Sequence, residues 1–262
     1  VSKVLAIANQ KGGVGKTTTT VNLAASLAAT KKKVLLIDLD PQGNATTASG
    51  VDKHGVEAGA YEVLMGQESM ADVIHSSIDV GFDVLAGNSD LTAAEIGLLE
   101  LDQKEHKLKN AIDLVRHKYD FILLDCPPSL SMLTINGLSA AEGVIIPMQC
   151  EYFALEGLTD LITTIEGVKQ ASNPSLEIEG ILRTMYDPRN SLTKDVSEQL
   201  KAHFSDKVYR TCIPRNVRLA EAPSFGMPVI SYDKHSKGAM AYLALAGEMI
   251  RKLECETEST TA

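Results

Sequence analysis

A chain of 262 residues, 44% of them hydrophobic, is long enough to bury a full core and is most simply one α/β domain, although length alone would allow two. Mean hydropathy is near zero, and no apolar run approaches the roughly 18 residues that a membrane span needs, which argues against a spanning protein. The formal net charge of −9 speaks against a nucleic-acid partner, yet residues 181–240 hold ten Lys/Arg and six Asp/Glu, a local +4 that leaves −13 for the rest.

The first element is an apolar run, Val4 to Ala8, read as a strand that leaves no room for a signal peptide. It leads into Asn9-Gln10-Lys11-Gly12-Gly13-Val14-Gly15-Lys16-Thr17-Thr18, and then into an Ala-rich segment of helical periodicity, Val21 to Ala29. Strand, loop and helix in that order are the context a phosphate-binding loop requires. Small residues let the backbone curl so that the N–H groups from Gly12 to Thr18 point at one anion, and the helix N-terminus adds positive potential. Lys16 is placed to reach the β- and γ-phosphates of a nucleotide, and the Thr17 hydroxyl to hold Mg2+. The competing reading is a Gly-rich turn whose lysines are merely solvated.

Lys31-Lys32-Lys33 closes this helix with cations at the negative end of its dipole. Val34 to Ile37 is an unbroken apolar run, as expected for a strand buried on both faces. It delivers Asp38-Leu39-Asp40-Pro41-Gln42-Gly43-Asn44, whose two acids would lie on the ligand edge of a parallel sheet. The alternative is a turn whose acids only cap backbone groups. Gly50 to Ser77 suggests short helices around 60–65 and 70–76, and carries no chemistry. Phe82 to Ala86 reads as a strand. Leu91 to about Lys118 reads as one long helix or as two broken near Asp102, a packing element.

Tyr119 to Asp125 is an apolar strand ending in an acid that can support a Mg2+ shell, followed by Cys126-Pro127-Pro128-Ser129. Further strands are expected at 144–148, 177–185 and 208–213, and helices at 155–170, 192–204 and 237–253. The tail, 254–262, is acidic and Thr/Ser-rich, and is expected to be disordered. Strands alternating with helices imply a single domain over 1–253, a mostly parallel twisted sheet with helices on both faces. The four cysteines, Cys126, Cys150, Cys212 and Cys255, form no C-x-x-C pair, which fits reduced thiols in the cytoplasm.

The loop departs from the plain G-x-x-x-x-G-K-[ST] pattern: Gln10 stands at the first glycine, and Lys11 follows it. With K-G-G-x-x-K-[ST], the chain resembles the deviant Walker A ATPases of the P-loop NTPase fold. Within them it is most similar to the ParA/Soj chromosome-partition group, through Lys11–Thr18, Asp38–Asn44, Asp125–Ser129, Gln149–Leu158, Thr184–Asn190 and Ile213–Pro223. The resemblance covers nearly the whole chain apart from the tail. It implies that Lys11 contacts nucleotide held by the other subunit of a dimer and that Asp40 orients the attacking water. Lys11, Lys16 and Asp40 would form the catalytic set, Thr17, Asp40 and Asp125 the metal set. Residues around Thr184, Met185, Pro214 and Arg215 would border the adenine. One departure is Met227, where relatives often carry lysine; if that lysine helps bind DNA, the contact is weakened here.

What the resemblance implies is a Mg2+-dependent ATPase, cytoplasmic and nucleoid-associated. It would form an ATP-dependent homodimer, bind double-stranded DNA without sequence preference, and be stimulated by DNA and a ParB-like partner. Arg189, Arg218, Lys201 and Lys237 are the DNA candidates; for the two arginines the alternative is pairing with a local acid such as Asp187 or Glu221. A MinD-like membrane-cycling protein would end in a basic amphipathic helix, whereas Arg251-Lys252 is followed by Glu254, Glu256 and Glu258. A cluster-bearing reductase would need paired cysteines, and no second cysteine lies upstream of Cys126. With the loop at residue 9 or 10, an N-terminal operator-binding helix-turn-helix is not expected. The remaining alternatives are a nucleotide-gated scaffold for a non-DNA cargo and a small-acid ligase of the same fold.

Overall fold

The computed structural model describes residues 2–77 and 79–261, the side chains of 256–261 excepted. The strands are β1 (Lys3–Ile7), β2 (Val34–Asp38), β3 (His75–Ser77), β4 (Phe82–Leu85), β5 (Phe121–Asp125), β6 (Gly143–Gln149), β7 (Glu177–Tyr186) and β8 (Val208–Pro214). They form one eight-stranded sheet in the order β3-β4-β2-β5-β1-β6-β7-β8. All neighbours are parallel except β3, which runs antiparallel to β4. β1 divides the strands that wind one way from those that wind the other, and the carboxyl ends beside such a strand form the crevice where ligands bind.

Alternating side chains of the central strands feed two cores. Val4, Ala6, Leu35 and Ile37 join one buried cluster, and Leu5, Ile7, Val34 and Leu36 join the other. That is why these strands are apolar without a period: neither face is wet. The second core is covered by α1 (Lys16–Ala29), α2 (Asn44–Ala48) and the C-terminal elements. The first is covered by α3 (Ala60–Leu64), α4 (Met70–Val73), α5 (Leu91–Gly97), α6 (Lys107–Val115), α7 (Met132–Ala140), α8 (Ala154–Ala171) and α9 (Ser191–Phe204). After β8 come α10 (Val217–Glu221), α11 (Val229–Tyr232) and α12 (Lys237–Thr261).

Several local expectations change. The helix expected over 70–76 stops at Val73, and His75–Ser77 pairs with β4 instead; edge pairing overrides the apolar spacing of Met70, Val73 and Ile74. The long segment after Leu91 breaks into α5 and α6, with Gln103 in the left-handed region between them. The helix expected to end at Leu253 continues to Thr261. Most of the expected acidic tail therefore falls on residues whose side chains lie outside the description.

The edge strand β8 is guarded by α12. The Glu248 carboxylate accepts the backbone N–H groups of Arg210 at 2.7 Å and Thr211 at 2.9 Å, donors that would otherwise invite pairing with another chain. Lower on the same helix, Lys252 bonds to Glu179, which also holds Lys3. β7 and β8 meet closely: a Cβ on Gly180 would come within 2.4 Å of the Tyr209 ring. Gly180→Ala should therefore destabilise the fold by about 1–3 kcal/mol. Gly167→Ala, in α8 with nothing within 4 Å of the added carbon, should stabilise it by roughly 0.5–1 kcal/mol. Urea denaturation of the two variants checks the opposite signs.

Candidate nucleotide site

The loop after β1 is pinned by side chains from three directions. Asn9 donates to the Pro147 carbonyl on β6 at 2.8 Å and accepts the Lys11 N–H at 2.9 Å. Gln10 donates to Thr164 on α8, and the Thr184 hydroxyl on β7 donates to the Val14 carbonyl at 2.8 Å. Between these pins the backbone turns through Gly13 at φ 73° and Gly15 at φ 89°, a region that favours glycine. Neither Gly12 nor Gly13 has a heavy atom within 4 Å of a would-be Cβ, so the cradle is open where an anion would lie. α1 begins immediately at Lys16 and has no acidic residue in its first turn, leaving its positive end uncompensated.

Lys16 is nearly buried, and its ammonium donates to the Lys11 carbonyl at 3.0 Å. It has no carboxylate in salt-bridge range among the described residues. Burial lowers its pKa, against which the Asp125 and Asp40 charges pull upward. A buried ammonium resting on its own loop's carbonyl beside an open glycine cradle fits a phosphate, which would give it a direct counter-charge.

The acids follow from sheet register. Ile7, Asp38 and Asp125 lie in one row across β1, β5 and β2. Asp38 and Asp125 are fully buried, and burial pushes both carboxyls well above the usual range, with Asp38 adding to the rise of Asp125. Asp38 is consumed by its own turn: Oδ1 accepts the Asp40 N–H, and Oδ2 accepts both the N–H and the hydroxyl of Thr46 at 2.8 and 2.7 Å. Thr46 in turn accepts the Gly87 N–H at 2.8 Å. The capping alternative thus holds for Asp38, which the sequence reading left without a separate role. Asp40 differs: Oδ1 caps the Gln42 N–H at 2.9 Å, and Oδ2 has no partner among the described residues. Asp125 accepts hydroxyls from Thr17 at 2.8 Å and Thr20 at 2.9 Å.

Lys11 lies at the rim. Its ammonium is 2.6 Å from Glu151, with both side chains half exposed. Thr184 and Met185 lie in the last residues of β7, Pro214 ends β8 and Arg215 follows it, all on the same sheet edge. Met185 sits at φ 47° with the Gln149 amide 2.8 Å from its sulfur. Met227 lines a cavity of about 280 Å3 together with Thr17, Thr18 and Thr47, so it belongs to the region between α1 and α2. Thr20, Thr46 and Glu151 are the residues that sequence reasoning missed. The run of four threonines after Lys16 was a signal for the first of them.

The DNA candidates are not one bare patch. Arg189 is paired with Asp187 at 2.8 Å, and Arg218 with Glu221 at 2.8 Å and Asp233 at 3.4 Å. Lys201, near the end of α9, and Lys237, at the start of α12, have no salt-bridge partner among the described residues.

Among the described residues no group of three or more His, Cys, Asp and Glu side chains could hold a metal. A Mg2+ ion here would need phosphate oxygens as well as Thr17 and the nearby acids, which is how this ion is usually held beside a nucleotide. The described residues also contain no helix long and apolar enough to cross a membrane.

Comparison with known proteins agrees with this geometry. A family model described as an AAA domain matches residues 2–178. The chain is 51% identical over 249 residues to the sporulation initiation inhibitor protein Soj of Bacillus subtilis, covering 95% of this chain and 98% of that one. It is 50% identical over 252 residues to the chromosome partitioning protein ParA of Caulobacter vibrioides, covering 95% and 94%. Among solved structures, cobyrinic acid a,c-diamide synthase from Mycobacterium smegmatis with bound ATP analog and magnesium is 38% identical. It superposes with a TM-score of 0.85 over 97% of this chain and 96% of that one. The chain belongs to the ParA/Soj family of chromosome-partitioning P-loop ATPases.

Proposed function

We propose that the protein hydrolyses ATP with Mg2+ as an ATP-dependent homodimer, binds double-stranded DNA without sequence preference, and serves chromosome or plasmid partition with a ParB-like partner. The observation that carries this reading is the different placement of the two loop lysines. Lys16 is buried in its own cradle, while Lys11 stands at the rim, half exposed and held by Glu151. A lysine so placed can reach phosphates on a facing subunit once it leaves Glu151. Exposed apolar side chains on the same edge, Leu130, Tyr152 and Phe153, are what a twofold partner would cover.

In this reading the loop N–H groups and Lys16 hold the phosphates, and Thr17 with Asp125 behind it holds the metal, with Asp40 beside them. A Mg2+ ion held there would supply positive charge to the phosphate oxygens. Asp40 keeps one oxygen free of the turn that its other oxygen caps, and uses it to orient the attacking water. Thr184, Met185, Pro214 and Arg215 border the base. DNA would then be held mostly through phosphates, and the protein would be found on the nucleoid.

The ligase alternative has one observation in its favour, the amide-forming neighbour in Mycobacterium smegmatis. The partition reading is preferred because the Soj and ParA relatives are closer in sequence and match end to end. DNA-stimulated ATP turnover separates partition from both a ligase and a scaffold for another cargo.

Lys11→Ala should bind ATP with near wild-type affinity and stay monomeric in sedimentation with ATP and Mg2+. A mutant dimer of normal strength would confine Lys11 to its own subunit's phosphates.

For DNA, the pairs at Arg189 and Arg218 are exposed, and such pairs are held only weakly, so they can exchange for DNA phosphates. Two subunits double each contact, so Arg189→Ala and Arg218→Ala should each flatten the log-affinity against log-salt slope by about 1.8. The loss should be equal on two unrelated duplexes, because phosphate contacts do not specify sequence. Unchanged slopes in both variants would place the DNA surface elsewhere.

A further inference from the structure

Asp125 is held at both oxygens from one helix. Thr17 and Thr20 are three residues apart on α1 and so share a face. The Thr17 hydroxyl donates to Oδ2 at 2.8 Å, and the Thr20 hydroxyl to Oδ1 at 2.9 Å. Their surroundings differ. Thr20 and Asp125 are wholly buried, whereas Thr17 is half-buried at the open cradle. Thr20 has one hydroxyl proton and two acceptors in reach, the second being the Lys16 carbonyl at 3.0 Å, the back-bond that any threonine inside a helix can make. Threonine is a middling helix former, so position 20 gains little local stability from it. The contact to Asp125 is what the hydroxyl adds.

We propose that Thr20 is a positioning residue: it fixes the plane of the Asp125 carboxylate, so that Thr17 commits its hydroxyl hydrogen to Asp125 and turns its oxygen lone pairs toward the metal. This rests on the Mg2+–ATP reading given above. A carboxylate held at one oxygen can still turn about its terminal torsion, which is broad and roughly two-fold. Freed at Oδ1, Asp125 would turn toward the positive charge in the cradle and release Thr17 from its orientation. Held at both oxygens, it acts from one layer behind Thr17, which makes the direct contact. The division also explains why an acid so deeply buried belongs to this site: its charge is needed, but its oxygens are occupied by hydroxyl donors.

The test separates positioning from simple tethering of α1 to β5. Calorimetric titration with a non-hydrolysable ATP analogue, once with Mg2+ and once with EDTA, measures how much the metal enhances nucleotide affinity. In Thr20→Val the affinity in EDTA should stay at the wild-type value, while the Mg2+ enhancement falls about ten-fold, the scale of one charge-assisted hydrogen bond. Thr20→Ser should restore the enhancement. Thr20→Ala should behave as Thr20→Val does and stands in for it if the valine variant does not fold. Wild-type enhancement in the hydroxyl-free variants, or equal losses with and without Mg2+, would make Thr20 merely structural and overturn the proposal. A wild-type protein with no Mg2+ enhancement would overturn the Mg2+–ATP reading itself.

Discussion

Two carboxylates buried side by side at the ends of β2 and β5 constrain everything around them. Neither Asp38 nor Asp125 is exposed, and a buried carboxylate is tolerated only where donors or positive charge surround it. Asp38 obtains its donors from its own turn, through Asp40 and Thr46. That requirement shapes the turn, starts α2, and joins it to Gly87 through the Thr46 hydroxyl. Asp125 obtains its donors from α1, through Thr17 and Thr20. The first turn of α1 is thereby fixed over the sheet, with Lys16 facing the cradle.

Much of this was legible in the sequence because it depends on local order. An apolar strand, a Gly-rich loop and a helix determine where Lys16 and Thr17 fall, whatever the remainder of the chain does. Sheet register then aligns Asp38 with Asp125, and the parallel arrangement followed from strands alternating with helices. What could not be read were contacts between distant segments. Thr46 reaching Gly87, Glu151 reaching Lys11, and Glu248 covering the edge of β8 all join residues with no spacing rule between them. β3 was missed for the same reason, since three residues of strand exist only because β4 pairs with them. The two glycines after Lys11 were readable as a cradle; Gly180 and its contact with Tyr209 were not.

Charge on the surface follows a different logic from charge at the site. The basic window of residues 181–240 reads as +4 in sequence, yet its two most prominent arginines each lie against a nearby acid. Local pairing of this kind lowers the free protein's attraction for polyanions without removing the cations. The acidic remainder of the chain has the same effect at long range. On the proposed reading, a single subunit would attach to DNA weakly and in a salt-sensitive way, and two subunits presenting their cations together would attach more strongly.

The central claim is that the acids at the strand edge divide their work, Asp38 and Asp125 organising the site and Asp40 acting on water. Sedimentation and ATP turnover of Asp40→Ala, both with ATP, Mg2+ and DNA, test it most directly. The account predicts a dimer that persists on ATP, with turnover reduced by at least about 100-fold, the scale of a lost water-orienting base. Turnover at the wild-type rate, or a protein that stays monomeric with ATP, would contradict it.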